Sequence, residues 1–154
     1  MNKFMKLAID EAISGMTLND GGPFGAVIVK NGEIISFAHN EVVKTNDPTA
    51  HAEVTALRKA SSKLGRFDLS DCEIYSSCEP CPMCFAAIHW AKIKKLYYGS
   101  TREDAANINF DDKYIYDVIK GTASELQVDV IQIHRLESLE PFRLWKIKID
   151  KTEY

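Results

Sequence analysis

Four residues carry the chemistry that this sequence offers: His51, Glu53, Cys81 and Cys84. They fall in two short runs, His51-Ala52-Glu53 and Pro80-Cys81-Pro82-Met83-Cys84. One imidazole and two thiolates suit zinc, and three protein ligands leave the fourth tetrahedral position open for water, which is the catalytic arrangement. Cys81 and Cys84 are three residues apart, so on a helix both sulfurs share a side. A helix start also favours thiolate over thiol, through its dipole and free N–H groups. Glu53 follows His51 by two and can stand beside the metal without binding it. Zinc lowers the pKa of a bound water from about 15.7 to about 7. A neighbouring carboxylate can take that proton and deliver it to a ring nitrogen and a leaving amine, as general acid–base catalysis requires.

Two plainer uses compete. A Cys-x-x-Cys pair alone could be a thioredoxin-like redox site, but such a pair needs no His-x-Glu upstream. A closed zinc site could recruit Cys78 from the run Cys78-x-x-Cys81-x-x-Cys84. That would make the chain a zinc-stabilised, non-catalytic binding module and leave Glu53 without a task. Cys72 reads as a small buried hydrophobe. His39, His89 and His134 lack ligand spacing and read as structural.

The elements that must position these residues follow from pattern. Met5, Ala8, Ile9, Ala12, Ile13 and Met16 recur at helical spacing, giving a first helix that ends near Gly15. Gly25 to Lys30 and Glu33 to His39 read as strands joined by Asn31-Gly32, a strong hairpin signal. Ala50 to Leu64 reads as a helix with Gly65 at its C-terminal cap. Glu73 to Ser76 is a strand, and a helix runs from Cys81 to about Ala91 with Pro82 in its first turn. Lys95 to Gly99 and Gln127 to His134 read as further strands. Helices are expected around Asp112 to Lys120 and over Pro141 to Ile149. Helices alternating with short strands after a hairpin indicate an α/β sandwich with a mixed sheet.

The bulk properties narrow the partners. The chain has 154 residues, enough for one domain over 1–154 with a real core. Its formal net charge of -3 argues against a long nucleic-acid partner, whose phosphates select for a basic face. No stretch is apolar for long enough to suggest a bilayer span, and the amphipathic N-terminus does not resemble a signal peptide. The expectation is a cytoplasmic protein with no membrane partner, in which clustered cysteines favour metal binding over disulfides.

At these residues the sequence resembles the cytidine and deoxycytidylate deaminase superfamily, whose zinc signature is His-x-Glu followed by Pro-Cys-x-x-Cys. The resemblance covers nearly the whole chain. It implies a three-layer α/β/α fold around a five-stranded sheet. It also implies attack by an activated water on an amidine carbon, with loss of ammonia. Gly22-Pro23-Phe24-Gly25-Ala26, Asn46 to Glu53 and Ser77 to Cys84 are similar to the small bacterial guanine deaminases. So are Phe110-Asp111-Asp112, the Pro141-Phe142 to Trp145 segment and Lys151-Thr152-Glu153-Tyr154. The first three runs are shared in part with tRNA adenosine deaminases and fungal cytosine deaminases.

This second resemblance implies a purine substrate, guanine, and a homodimer whose C-terminal segments are exchanged. It implies that His51, Cys81 and Cys84 bind zinc, that Glu53 shuttles protons, and that Asp112 approaches the base and helps move a proton to the leaving amine. Phe24, Asn40, Ala52, Trp90 and Tyr154 would join Asp112 in holding the base, Tyr154 from the partner chain. The chemistry is sensible: a carboxylate accepts the N–H donors of guanine, an amide can donate and accept, and a flat base wants an aromatic face. Plain alternatives stay open. Asn40 could finish a strand, Asp112 could cap a helix, Trp90 could be core, and Tyr154 could be a free end. Cytosine or adenosine in tRNA remains the alternative substrate.

Overall fold

The computed structural model describes residues 1–125 and 127–153. Helix α1 (Lys3–Thr17) starts at Asn2, whose side-chain oxygen accepts from the backbone N–H groups of Phe4 and Met5. It runs past Gly15, where the sequence suggested an end. Glycine is needed there for a close approach: a Cβ on Gly15 would lie 2.5 Å from the His39 ring. Strands β1 (Gly25–Lys30) and β2 (Glu33–His39) form the expected hairpin. Asn31 and Gly32 turn it with φ of 50° and 78°, the left-handed region those two residues tolerate best.

A short helix α2 (Val42–Thr45) precedes α3 (Ala52–Leu64), which ends on left-handed Gly65. Strand β3 (Glu73–Cys78) leads through a loop into α4 (Pro82–Trp90), and β4 (Lys95–Ser100) follows. Then come α5 (Arg102–Ala106), α6 (Lys113–Lys120) and α7 (Glu140–Ile147). The described strands form one sheet in the order β2-β1-β3-β4. Its first three strands are antiparallel, and β4 joins β3 in parallel after the crossover through α4.

The sheet is covered on both faces, which explains the unbroken apolar run of β1. Val27 and Val29 pack with Phe4, Ala8 and Tyr75 on the α1 side. Ala26 and Ile28 pack with Ala38, Ala56, Ala60, Ile74 and Ile88 on the α3 and α4 side. This alternation along one strand produces the expected three-layer α/β/α sandwich.

One expectation is corrected: among the described residues the sheet has four strands and not five. The described residues of the segment 127–134 form no strand. Their apolar side chains are exposed, Val130 to 86% and Ile131 to 78%, so within this chain they have no face to cover. Strand β4 is therefore an edge of the sheet. Helices α2 and α5 were not expected, being too short for a periodic pattern. Among the described residues, no helix is long and apolar enough to cross a membrane.

Candidate metal centre and active site

The two ligand-bearing helices begin at the same edge of the sheet. His51 is the N-cap residue of α3 and Cys81 that of α4, both with extended backbone. Pro82 at the start of α4 forfeits no helical hydrogen bond. The sulfur of Cys81 accepts from the backbone N–H of Cys84 at 3.5 Å. Cys84 follows one turn later, fully buried, on the same side of the helix.

These starts bring three donor atoms together. His51 Nδ1 lies 3.5 Å from Cys81 Sγ and 3.5 Å from Cys84 Sγ. Zinc bonds of about 2.3 Å to sulfur and about 2.0–2.1 Å to nitrogen, at a tetrahedral angle, require an S···N separation of about 3.6 Å. The donor set fits zinc in type and spacing. Cys78 does not join it. Its thiol points at the Thr101 carbonyl, 3.5 Å away, and burial pushes its pKa up. Among the described residues the group holds His51, Cys81 and Cys84 alone, so the closed four-ligand site is not what these residues form.

The electrostatics match a thiolate centre. A hydrogen bond from the Cys84 thiol, aided by the His51 imidazole, pulls the Cys81 pKa down to about 4. The same bond, together with burial, pushes Cys84 up, so Cys81 carries charge first. The Cys81 sulfur in turn raises the pKa of His51.

Glu53 is in the first turn of α3, almost wholly buried. Burial pushes its carboxyl above the ordinary range. Ser76 Oγ, from β3, donates to Glu53 Oε1 at 3.0 Å. Ser76 was not singled out from the sequence. Its signal was a polar residue on the core face of a strand, two positions from Ile74.

His51, Cys81 and Glu53 open onto a cavity of about 380 Å³, within the usual range for a small-molecule site, while Cys84 is fully buried and does not line it. Phe24, Phe110, Asp112, Met83 and Ile115 line it as well. Phe24 and Phe110 meet edge to face with centroids 5.0 Å apart. Asp112 is in the N-cap position of α6 yet makes no capping bond; Asp111 Oδ1 instead accepts from Lys113 N at 2.9 Å. The Asp112 carboxylate is thus left toward the cavity. Burial raises its pKa, and the negative charge on Cys81 adds to that.

Asn40 is buried beside this cavity and does not line it. Its Oδ1 accepts from Val42 N at 3.1 Å and from Gly22 N at 3.4 Å. Two backbone donors require the oxygen there, which fixes the orientation of the amide. Ala52 is fully buried between His51 and Glu53, and as the first residue of α3 its N–H has no intrahelical acceptor. Trp90 does not line this cavity and is 66% exposed. It follows Cys84 by six residues, a rotation of about 240° around the helix, which points it away from the sulfurs. Tyr154 lies outside the described residues.

His39 lacks ligand spacing in the sequence, yet the fold brings it together with Asp20 and Glu41 as a second group of possible donor atoms. Its ring bridges Glu11 at 3.1 Å and Asp20 at 2.9 Å. The Lys44 ammonium, 2.9 Å from Asp20, already balances that acidic group.

Comparison with known proteins agrees with this geometry. Residues 1–100 match the family described as the cytidine and deoxycytidylate deaminase zinc-binding region. The chain is 49% identical over 151 residues to a guanine deaminase of Bacillus subtilis, covering 98% of this chain and 97% of that protein. The X-ray structure of a Bacillus subtilis guanine deaminase superimposes with a TM-score of 0.93 at 49% identity, covering 100% of this chain and 99% of that one. A tRNA-specific adenosine deaminase of Agrobacterium fabrum is 44% identical over 97 residues, 63% of each chain.

Proposed function

The chain belongs to the cytidine and deoxycytidylate deaminase family, and from that premise we propose that it hydrolyses guanine to xanthine and ammonia. The observation that carries this reading is the buried Glu53 carboxylate beside the His51–Cys81–Cys84 donor group, at the base of an apolar cavity sized for a free base. The choice of guanine is supported by the Bacillus subtilis guanine deaminase, whose similarity runs through both ends of the chain. Similarity to the tRNA enzyme extends over less of it.

His51, Cys81 and Cys84 hold zinc, which supplies a Lewis acid that brings the pKa of a water to about 7. Glu53 takes the proton of the attacking water and passes it to a ring nitrogen next to C2. It then takes the proton of the C2 hydroxyl and delivers it to the departing amine, so that the C2–N bond breaks as the C2 carbonyl forms. One water is consumed and one ammonia leaves. Asp112 accepts from the N–H edge of guanine and assists the leaving amine. Phe24 and Phe110 supply the aromatic wall, a suitable face for a flat base. Asn40 offers its amide nitrogen, since its oxygen is committed to backbone donors. Ala52 offers the free N–H at the head of α3.

The working form in this reading is a cytoplasmic homodimer. Each chain is one domain whose C-terminal segment crosses to the partner and carries Tyr154 to the other site. The exposed apolar residues Val128, Val130, Ile131 and Ile133, with Phe142 on α7, support this, because a lone soluble chain rarely leaves such a patch uncovered. The open edge of β4 is a natural acceptor for the segment 127–134. Free cysteines suit a reducing compartment.

The test is an ammonia-release panel on guanine, adenine, cytosine, cytidine, adenosine and tRNA. Turnover of guanine above the rest is expected. Turnover of adenosine in tRNA or of cytosine, with none of guanine, would overturn the substrate while leaving the chemistry of the centre intact.

A further inference from the structure

Helix α6 carries Asp112 at its head, yet it is poorly anchored: none of its described residues is buried. Tyr114 Oη donates to the Glu125 carbonyl at 3.3 Å and accepts from Gln127 N at 2.7 Å in the segment that follows; apart from these, among the described residues, one hydrogen bond ties this helix to the body of the protein. Tyr116 Oη donates to the Pro80 carbonyl at 2.9 Å. Tyr116 stands one turn after Asp112 and its own N–H bonds to the Asp112 carbonyl at 3.3 Å, so fixing the ring fixes the carboxylate. Pro80 is fully buried and immediately precedes the ligand Cys81. The tie therefore runs directly from the Asp112 helix to the metal-ligand loop.

A second pair reinforces it. The Arg102 guanidinium lies over the Tyr116 ring, 4.2 Å from its centroid. Arg102 also forms an ion pair with Glu79, and its backbone N–H bonds to Glu79 Oε2 at 3.1 Å. Glu79 in turn donates its backbone N–H to the Ser100 carbonyl at 2.8 Å, which anchors the assembly to the end of β4. An Arg held by a carboxylate presents its flat face in one orientation, and a cation over an aromatic face is attractive. Glu79 thus orients Arg102, Arg102 holds the Tyr116 ring, and Tyr116 grips Pro80.

We infer that Tyr116 and Arg102 are positioning residues for the reaction, a latch between α6 and the Pro80–Cys81 loop that keeps the Asp112 carboxylate over the cavity. The inference rests on the role assigned to Asp112 under the proposed function. It extends that role to two side chains that touch neither the donor group nor the base.

The test compares Tyr116→Phe, Asp112→Asn and the double variant as zinc-loaded enzymes on guanine, with melting temperature and zinc content measured alongside. Losing one hydrogen bond should lower kcat/KM about three- to ten-fold in Tyr116→Phe. Adding Tyr116→Phe to Asp112→Asn should cost nothing further, because the latch acts through that carboxylate. A merely structural tyrosine would lower both backgrounds alike, and that outcome overturns the latch. So does wild-type kcat/KM in Tyr116→Phe beside an impaired Asp112→Asn, which leaves the proposed function standing. Full activity of Asp112→Asn overturns the Asp112 role and the latch together. Amide exchange over residues 113–118 gives a readout independent of substrate: it should quicken in Tyr116→Phe, and unchanged exchange contradicts the latch.

Discussion

Ser76 Oγ donates a hydrogen bond to Glu53 Oε1 at 3.0 Å, and both side chains are buried. The bond favours the charged carboxylate against the burial that disfavours it. Removing it with Ser76→Ala raises the Glu53 pKa further, so more of the enzyme is protonated at a given pH. The acidic limb of the kcat–pH profile is expected to move to higher pH, with kcat near neutrality reduced about ten-fold. A Ser76→Ala profile that overlays the wild type would show that Ser76 does not tune Glu53.

The Cys78 thiol faces Thr101 and not the donor group. Cys78→Ala should therefore keep its full zinc content by elemental analysis, while Cys81→Ala and Cys84→Ala lose theirs. Zinc loss from Cys78→Ala with unfolding would revive the closed site.

Much of this was legible in the sequence for physical reasons. The hairpin at Asn31-Gly32 and the cap at Gly65 are local, set by φ values that few residues tolerate. The donor group was legible because each ligand is at or next to a helix start that the sequence marks with Pro82 or with a change of pattern. Segment 127–134 was misread because alternating Val and Ile residues describe a strand in any setting, whereas a strand also needs a partner, and the described residues of this segment pair with none within the chain. Ser76, Arg102 and Tyr116 escaped notice because their partners are distant in sequence, and a side chain's partner is a property of the fold.

Close packing around Asn40 gives a third expectation. A Cβ on Gly21 would lie 2.1 Å from Asn40 Oδ1 and 2.6 Å from the Asn40 carbonyl oxygen. Backbone cannot yield cheaply, so Gly21→Ala should displace Asn40 and raise KM for guanine at least about ten-fold. Gly32→Ala is the control: a Cβ there meets nothing within 4 Å, though its φ of 78° is strained. It should cost about 1 kcal/mol of stability and leave KM unchanged. Equal KM values for the two variants would remove Asn40 from base binding.

The exchanged tail makes a fourth. Deleting 152–154 takes away Tyr154 together with Thr152 and Glu153, both exposed. Guanine turnover should fall at least about ten-fold while the melting temperature moves by less than about 2 °C. Unchanged kinetics would sink the assignment of Tyr154 to the partner's site, and a monomer on sizing would sink the exchange itself.

The most direct test of the central claim is Glu53→Gln, assayed for xanthine formation with zinc measured in the same sample. The substitution keeps the shape of the side chain and removes its proton chemistry. The account predicts full zinc content, a melting temperature at or above the wild type because a buried acid has been neutralised, and a rate lower by about 10²–10⁴-fold. A zinc-loaded Glu53→Gln enzyme that turns over guanine at the wild-type rate would contradict it.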